Sequence, residues 1–515
     1  MGYRRHDAPS PLLIGYDPAT DLPKDHLARL VEMVVNEAVP VPEKPIGRGQ
    51  PAFDPRLCIK VLIYGYATGV RSSRQLEKNC NESLPYLFLS RGDTPSYHTL
   101  CSARTSYSEL LEAAWTSVFA VASASGMRRL GRIVVDSTKL QANASSEMTL
   151  DRDEYAKVRS ALKDALAEAA IVDAREDKDG YAGETRTGKD VDKCQMRDIV
   201  RRVRKSLTCQ NVNKESIDER SSSCPKAMTK KMVERVKGAV AAIDQAQSDG
   251  RKHLCLTDPD ARMMQGGREK RVHQCHSLEV AIDRDCGVLV ANDVTAEASD
   301  NDRLEPLVEA ARRNEPCGVT AADGDSGYFK TEALLRLSSA GIDLCVPDST
   351  TACELHRGLP VGSLRRRCAI EFDYDSEQDL YRCPQGNLLT HHCSRGEVGM
   401  LKKEYRASRS CKGCPSYCDC IVRLDGKPAK SQRKCIITRE RSKEADALMS
   451  RFSELEHRNR YNKRASIVET VFGFLRATLG YNRWLLRGED KVKSEGKLIA
   501  LGYQLRKVAL AWTGS

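Results

Sequence analysis

Aromatic residues are scarce in this chain: Phe, Trp and Tyr make up 5% of 515 residues, and only three are tryptophan. No run of eighteen apolar residues occurs, so no membrane-spanning helix is expected. The opening residues, Met1-Gly2-Tyr3-Arg4-Arg5-His6-Asp7, lack the apolar core of a secretory signal, and a cytoplasmic protein is expected. In that compartment the twenty cysteines are expected to be reduced and mostly buried as small hydrophobes. Metal ligation is the exception to look for. Neither sign of charge is missing. The net charge is +11, a thin excess over this length that fits a nucleic-acid partner without requiring one. The length itself predicts two to four domains with ample core.

The first 50 residues are Pro-rich, with one helix expected around Leu27–Glu37. At Phe53-Asp54-Pro55 a helix opens, Asp54 as its cap and Pro55 in its first turn. Gly69-Val70-Arg71-Ser72-Ser73-Arg74 starts another, and helices continue to about Gly126. This all-helical region, residues 1–125, exposes arginines suited to phosphate contact, Arg71 and Arg74 among them. Gly131-Arg132-Ile133-Val134-Val135-Asp136 is a β-branched run ending in a carboxylate, the pattern of a buried strand with an acid at its exit. From about 151 to 250 strand signals vanish. Long polar helices are expected over Glu154–Ala174 and Met228–Ala246, with a loose stretch around Lys178–Lys189 between them. Strands resume at Ser277–Asp283 and Gly287–Asn292, joined by a turn at Arg284-Asp285-Cys286. A helix, a strand into Asp323-Gly324-Asp325-Ser326-Gly327, a helix and the strand Ile342–Val346 follow.

Without the insertion the order is β-β-β-α-β-α-β, the order of a ribonuclease-H-like mixed sheet. The fold class expected is therefore α/β: such a sheet as the catalytic domain, an all-helical N-terminal domain, a helical insertion and a small Cys-rich insertion. The boundaries are 1–125, 126–345 with the insertion at about 151–250, a β/Cys-rich insertion at 346–440, and C-terminal helices at 441–515 completing the core. One of those helices holds the stretch Tyr461-Asn462-Lys463-Arg464 through Arg476. Ile467, Val468, Val471, Phe472 and Leu475 recur at helical spacing, while Glu469, Phe472 and Arg476 share a neighbouring face. In this sheet order the ends of the first and fourth strands lie side by side with a later helix across them. Asp136, Asp325 and Glu469 would then converge. Three carboxylates together raise one another's pKa unless cations intervene, and hard oxygen donors suit magnesium. Asp323, two residues before Asp325, is the alternative second ligand.

These segments resemble bacterial insertion-sequence transposases of the DDE type, in the branch with a helical N-terminal domain. The resemblance rests on Phe53-Asp54-Pro55, Gly69–Glu77 and Thr94-Pro95; on Val135–Asn143; on Thr257–Arg262 and Asp325–Phe329; and on Tyr461-x2-Arg464-x4-Glu469-x6-Arg476. It spans nearly the whole chain. One departure is Arg476, where the family usually has lysine. The resemblance implies Asp136, Asp325 and Glu469 as catalytic residues holding two Mg2+ or Mn2+ ions, with Asp325 in the family's place before Gly-Tyr. It implies that Tyr461, Arg464 and Arg476 bind phosphate near the scissile bond. It further implies double-stranded DNA as partner, both element ends and target, a homodimer on that DNA, nucleoid association, and cleavage followed by strand transfer. One rival, a nuclease that cuts without joining, shares the pattern; the other, an inactive DNA-binding derivative, predicts a lost carboxylate, and all three are present.

A second cluster lies between Asp325 and Glu469. Cys383 opens Cys-Pro-Gln-Gly, and Cys411-Lys412-Gly413-Cys414 is followed by Cys418 and Cys420. A Cys-x2-Cys knuckle with two more cysteines has structural-zinc spacing. Cys383, Cys411, Cys414 and Cys418 are the expected ligands, with Cys420 the alternative fourth. Reduced, unliganded thiols are the competing reading.

Overall fold

The computed structural model describes residues 17–40, 52–127, 129–178, 196–209, 230–266, 271–315, 317–362, 372–398, 400–415, 420 and 433–513. Among them no helix is long and apolar enough to cross a membrane. The N-terminal region is helical throughout. The Asp54 carboxylate accepts the Arg56 N–H at 2.9 Å, and Pro55 begins a helix, Pro55–Ala67, that is buried almost along its whole length. Packed around it are Leu27–Ala38, Ser73–Glu82, Leu84–Ser90, Tyr97–Ser106 and Ser108–Ala124. The expected stretch of loose chain around Lys178–Lys189 falls mostly outside the described residues.

The central sheet has six strands. β1 is Arg132–Gln141, β4 Arg262–Gly266, β5 Arg271–Asp283, β6 Leu289–Thr295, β7 Ala321–Asp323 and β8 Asp343–Cys345; β2 and β3 form the small ribbon described below. β1 runs antiparallel to β5 and parallel to β7, and β7 parallel to β8; β4 and β6 both pair with β5. Helices Leu304–Arg312 and Thr331–Ser339 make the two crossovers that the parallel pairs require. β4, polar at its start and only five residues long, gave no strand signal. β1 also runs past Asp136 instead of stopping there. Its parallel pairing with β7 ends at Val134 opposite Asp323, but its antiparallel ladder with β5 continues to Gln141 opposite Cys275.

The insertion has its own core and its own stem. β2, Thr149–Asp151, pairs with β3, His253–Cys255, so the chain enters and leaves the insertion through one two-stranded ribbon. Tyr155–Lys178, Met196–Cys209 and Lys230–Ser248 pack above it around Val158, Leu162, Ile199, Val200, Val236 and Ile243. The pair of helices expected here is thus joined by a third. Farther on, five antiparallel strands form a separate meander: β9 Asp373–Asp375, β10 Leu380–Arg382, β11 Leu388–Glu397, β12 Met400–Ala407 and β13 Cys435–Arg441.

The last two long helices bind the halves together. Leu455–Gly473 lies on β1 and β8 and runs into a wider, π-type turn at Phe474–Thr478, so the single regular helix expected through Arg476 ends early. Glu489–Thr513 packs on β6 and against Pro55–Ala67 and Ser108–Ala124. One continuous core therefore includes residues from Leu22 to Val508. Glu495, with no solvent exposure, accepts the N–H groups of Leu485 and Leu486, each at 2.9 Å, and stands 3.5 Å from the Arg71 guanidinium. The Tyr481 hydroxyl donates to the Tyr66 carbonyl, and the Trp484 indole N–H to the His276 carbonyl at 3.2 Å.

Gly502 sits where the C-terminal helix crosses the N-terminal one. A Cβ there would lie 2.8 Å from the backbone of Tyr66 and Ala67, atoms that cannot swing aside. Gly502→Ala should therefore cost roughly 1–3 kcal/mol of stability. Gly238→Ala, in a helix with open space around it, should be neutral or stabilise by up to about 1 kcal/mol. Thermal unfolding of both variants checks the pair; equal melting temperatures would contradict the close crossing.

Candidate active site

The register of β1 and β7 places the two aspartates. Val134 stands opposite Asp323, and two residues beyond that last pair come Asp136 and Asp325. Adjacent strands lie ~4.8 Å apart, so both carboxylates are delivered to one spot just past the point where the parallel pairing of β1 and β7 ends. Asp325 caps the short turn Ser326–Tyr328, its carboxylate accepting the Gly327 N–H at 2.8 Å. Gly327 lies close against two carboxylates. A Cβ on it would come within 2.9 Å of Asp325 Oδ1 and 3.4 Å of Asp300 Oδ2.

Asp136 accepts the Ser137 N–H and the Arg464 Nη1–H, both at 2.7 Å. Burial pushes its carboxyl up to about 6; the Arg464 charge opposes this and the Asp325 charge adds to it. Arg464 is itself mostly buried, and its guanidinium carbon stands 5.4 Å from the Tyr461 ring centre. The Arg476 guanidinium donates to Thr138 Oγ1 and to the Lys139 carbonyl, just beyond Asp136 on β1. Tyr461, Arg464 and Arg476 thus line the same side of β1 from one helix and its π turn.

Glu469 is placed differently. It follows the buried Val468 but is itself exposed. Among the described residues no group of three or more His, Cys, Asp or Glu side chains is gathered tightly enough to hold a metal ion, the set Asp136, Asp325 and Glu469 included. Asp323 has other partners. It is buried, accepts from Arg460 Nε at 2.7 Å, and lies 3.6 Å from Arg284. Its carboxyl is raised by burial, against the pull of Arg460.

Two further acids that the sequence reading did not single out belong to this neighbourhood. Asp300 lies beside Asp325, 3.8 Å from the Lys139 ammonium, with one oxygen buried and without a hydrogen-bond partner. Burial raises its carboxyl, and the Asp325 charge adds to the effect. Glu279 faces Ser137 across the β1–β5 ladder, has no solvent exposure, and accepts the Tyr328 hydroxyl at 2.6 Å. A charged residue inside the apolar run Leu278–Ile282 was the one hint, since a carboxyl on a buried strand needs a reason to be there. Asp300 sits in an acid-rich turn before a helix, and nothing local sets it apart.

The remaining candidates scatter. Arg71 points inward, spent on Glu495, on the Arg483 carbonyl at 2.7 Å and on the Tyr481 ring. Arg74 is exposed and lies over the Tyr97 ring. In the insertion, Arg197 and Arg201 pair with Glu147 and Arg204 with Glu154, leaving Arg202 and Lys205 exposed. Cys383, Cys411 and Cys414 line one cavity of the β-meander together with Cys420; Cys418 lies outside the described residues.

Two family models match the chain. One, described as a transposase DDE domain, covers residues 382–509; the other, a transposase domain (DUF772), covers residues 18–106. The first takes in Glu469 and Arg476, and the second the N-terminal helices. No curated protein matches.

The buried acids make the fold sensitive to pH. Burial pushes Glu279 up to about 7 from an ordinary 4.5. A carboxyl raised in this way stabilises the fold fully below its unfolded pKa, and the contribution is lost as pH rises through the folded one. Between about pH 4.5 and 7 the wild type should lose on the order of 3 kcal/mol that Glu279→Gln keeps. In chemical denaturation of metal-free protein, the variant's advantage should grow across that window and level off above it. A difference independent of pH would show that Glu279 is not held protonated.

Proposed function

Starting from an insertion-sequence transposase of the DDE type, which the two matched domains together indicate, we propose that the acidic centre at Asp136 and Asp325 cuts DNA at the ends of the element and joins the freed 3′ end to target DNA. The observation that carries this reading is the delivery of both aspartates, from segments far apart in sequence, to the place where the parallel pairing of β1 and β7 stops. Three antiparallel strands followed by two parallel ones through helical crossovers is the ribonuclease-H-like order, and this order supports assigning the sheet to that fold.

The residues present fit the divalent ions that the DDE family uses. The donors are all carboxylate oxygens, and the buried Asp300 oxygen without a hydrogen-bond partner is an acceptor that a cation would satisfy. Asp136 and Asp325 would hold Mg2+ with Asp300 beside them, and Glu469 would swing in from its helix. When bound, the ions activate the attacking oxygen and stabilise the leaving one. The chain's own groups do the rest. Arg464 and Arg476 bind the phosphate flanking the scissile bond, the planar guanidinium matching two phosphate oxygens at once. Tyr461 braces Arg464 through its ring. Arg464 is the counter-ion of Asp136 while no substrate is present and exchanges that carboxylate for phosphate when DNA arrives. Recognition of the end sequence falls to the exposed side of the N-terminal helices, Arg74 included, while Arg71 fixes those helices to the catalytic half. Two copies on paired ends would act as a dimer.

Asp136→Ala, Asp325→Ala and Glu469→Ala should each reduce cleavage and joining by about three orders of magnitude or more. Binding to end DNA should persist, since phosphate contacts come mainly from arginine and lysine. Asp323→Ala should lower the melting temperature, through the loss of its Arg460 bond, and keep measurable activity. The assay uses labelled element ends and a plasmid target with Mg2+ or Mn2+, beside gel shifts of the same variants. Full activity in Asp325→Ala, or in Glu469→Ala, would sink the assignment of that residue.

A further inference from the structure

The β-meander β9–β13 is too small to hold itself together by apolar burial. Its core consists of Phe372, Leu389, Tyr405, Ala407 and Ile436 among the described residues. Units of this size ordinarily need a staple. Thiols are gathered at one end of it. Cys383, Cys411, Cys414 and Cys420 line a single cavity of about 430 Å3, and all four are free of disulfide bonds.

Two of these thiols sit in turns shaped for an anionic sulfur. The first is the hairpin tip between β10 and β11. There the Gly386 N–H donates to the Cys383 carbonyl at 2.8 Å, Gly386 takes φ +77°, and the Gln385 N–H points at Cys383 Sγ at 3.4 Å. The second is Cys411–Cys414, closed by the Cys414 N–H on the Cys411 carbonyl at 3.1 Å with Gly413 at φ +92°. Cys411 Sγ receives the Lys434 N–H at 3.3 Å and an N–H of the Asn387 side chain at 3.8 Å. N–H donors aimed at a ligand sulfur are the outer-shell contacts that orient a metal-bound thiolate. The Lys434 ammonium donates to the Cys420 carbonyl at 2.5 Å and lies over the Phe372 ring, which places a positive charge beside the cluster.

We propose that Cys383, Cys411, Cys414 and Cys420 bind one zinc ion as a structural tetrathiolate that closes the β9–β13 meander. Zinc takes four thiolates tetrahedrally and is not redox-active, so the site is a staple and not a reaction centre. The four sulfurs line the cavity without meeting at a common point, and binding closes them on the ion. Four thiolates on one divalent ion leave two negative charges, which Lys434 and the N–H donors offset. Because the ligands are deprotonated only with metal present, binding free energy becomes folding free energy of this unit. The site lies outside the acidic centre and its existence does not depend on the reaction assigned there.

Full-length protein purified without chelator should contain about one zinc per chain by elemental analysis. The double variant Cys411→Ser/Cys414→Ser and the single variant Cys420→Ser should both lose it. Cys418→Ser and Cys393→Ser should keep it. Wild-type protein reconstituted with Co2+ should show the intense visible bands of tetrahedral thiolate ligation, a readout that survives if the serine variants fail to fold. Chelation should open the 372–441 region to protease before the rest of the chain. Zinc-free protein, a coloured iron centre, or zinc kept in Cys420→Ser but lost in Cys418→Ser would each overturn the proposal.

Discussion

Two carboxylates delivered to one point, largely out of water, set the terms for everything around them. Like charges side by side repel more strongly at low dielectric, and burial adds its own cost to the ionised form of Asp136. The fold answers with cations at fixed positions. Arg464 reaches Asp136 from the helix across the sheet, Lys139 approaches Asp300, and Arg460 takes up Asp323 so that it adds nothing to the crowd. Burial pushes the Glu279 carboxyl up to about 7, and a tyrosine hydroxyl donates to it. The position of the Leu455–Gly473 helix follows from the same constraint, because it must bring both Arg460 and Arg464 to strand ends on its inner side.

How much of this was legible in the sequence depends on whether the information is local. Asp54 before Pro55 announces a helix by its own hydrogen-bonding chemistry, and the helix begins there. The β-branched run into Asp136 announces a strand. Its continuation to Gln141 could not be read, because it is decided by β5, a partner brought in after the insertion. β4 was missed because Arg262-Met263-Met264-Gln265-Gly266 neither alternates nor carries β-branched residues; its conformation comes from the free edge of β5. Asp300 and Glu279 join the acidic centre by tertiary placement alone. Arg71 reads as a surface residue until Glu495, near the other end of the chain, is folded against it.

That last contact changes the view of the N-terminal helices. The sequence reads as a helical N-terminal domain, residues 1–125, with arginines suited to phosphate contact. In the fold, Pro55–Ala67 is wedged against the C-terminal helix, with the Tyr481 hydroxyl on its carbonyl end and Gly502 at its closest approach. A ligand pressing on the outer face of these helices is therefore in mechanical contact with the Gly480–Leu486 segment, which hydrogen-bonds to β1 at Gln141. The same strand carries Asp136. The described N-terminal helices and the sheet share one continuous core.

The ribbon of β2 and β3 has a different consequence, in chain topology. About a hundred residues leave the main fold at Asp151 and return at His253, directly opposite. Such a branch hangs from a single stem. Its core is made of its own helices, and shortening or lengthening it leaves every connection of the central sheet as it was. The entropy of closing the loop changes only with the logarithm of its length. The branch is thus a part of the molecule whose size and surface can drift from lineage to lineage while the acidic centre stays where it is.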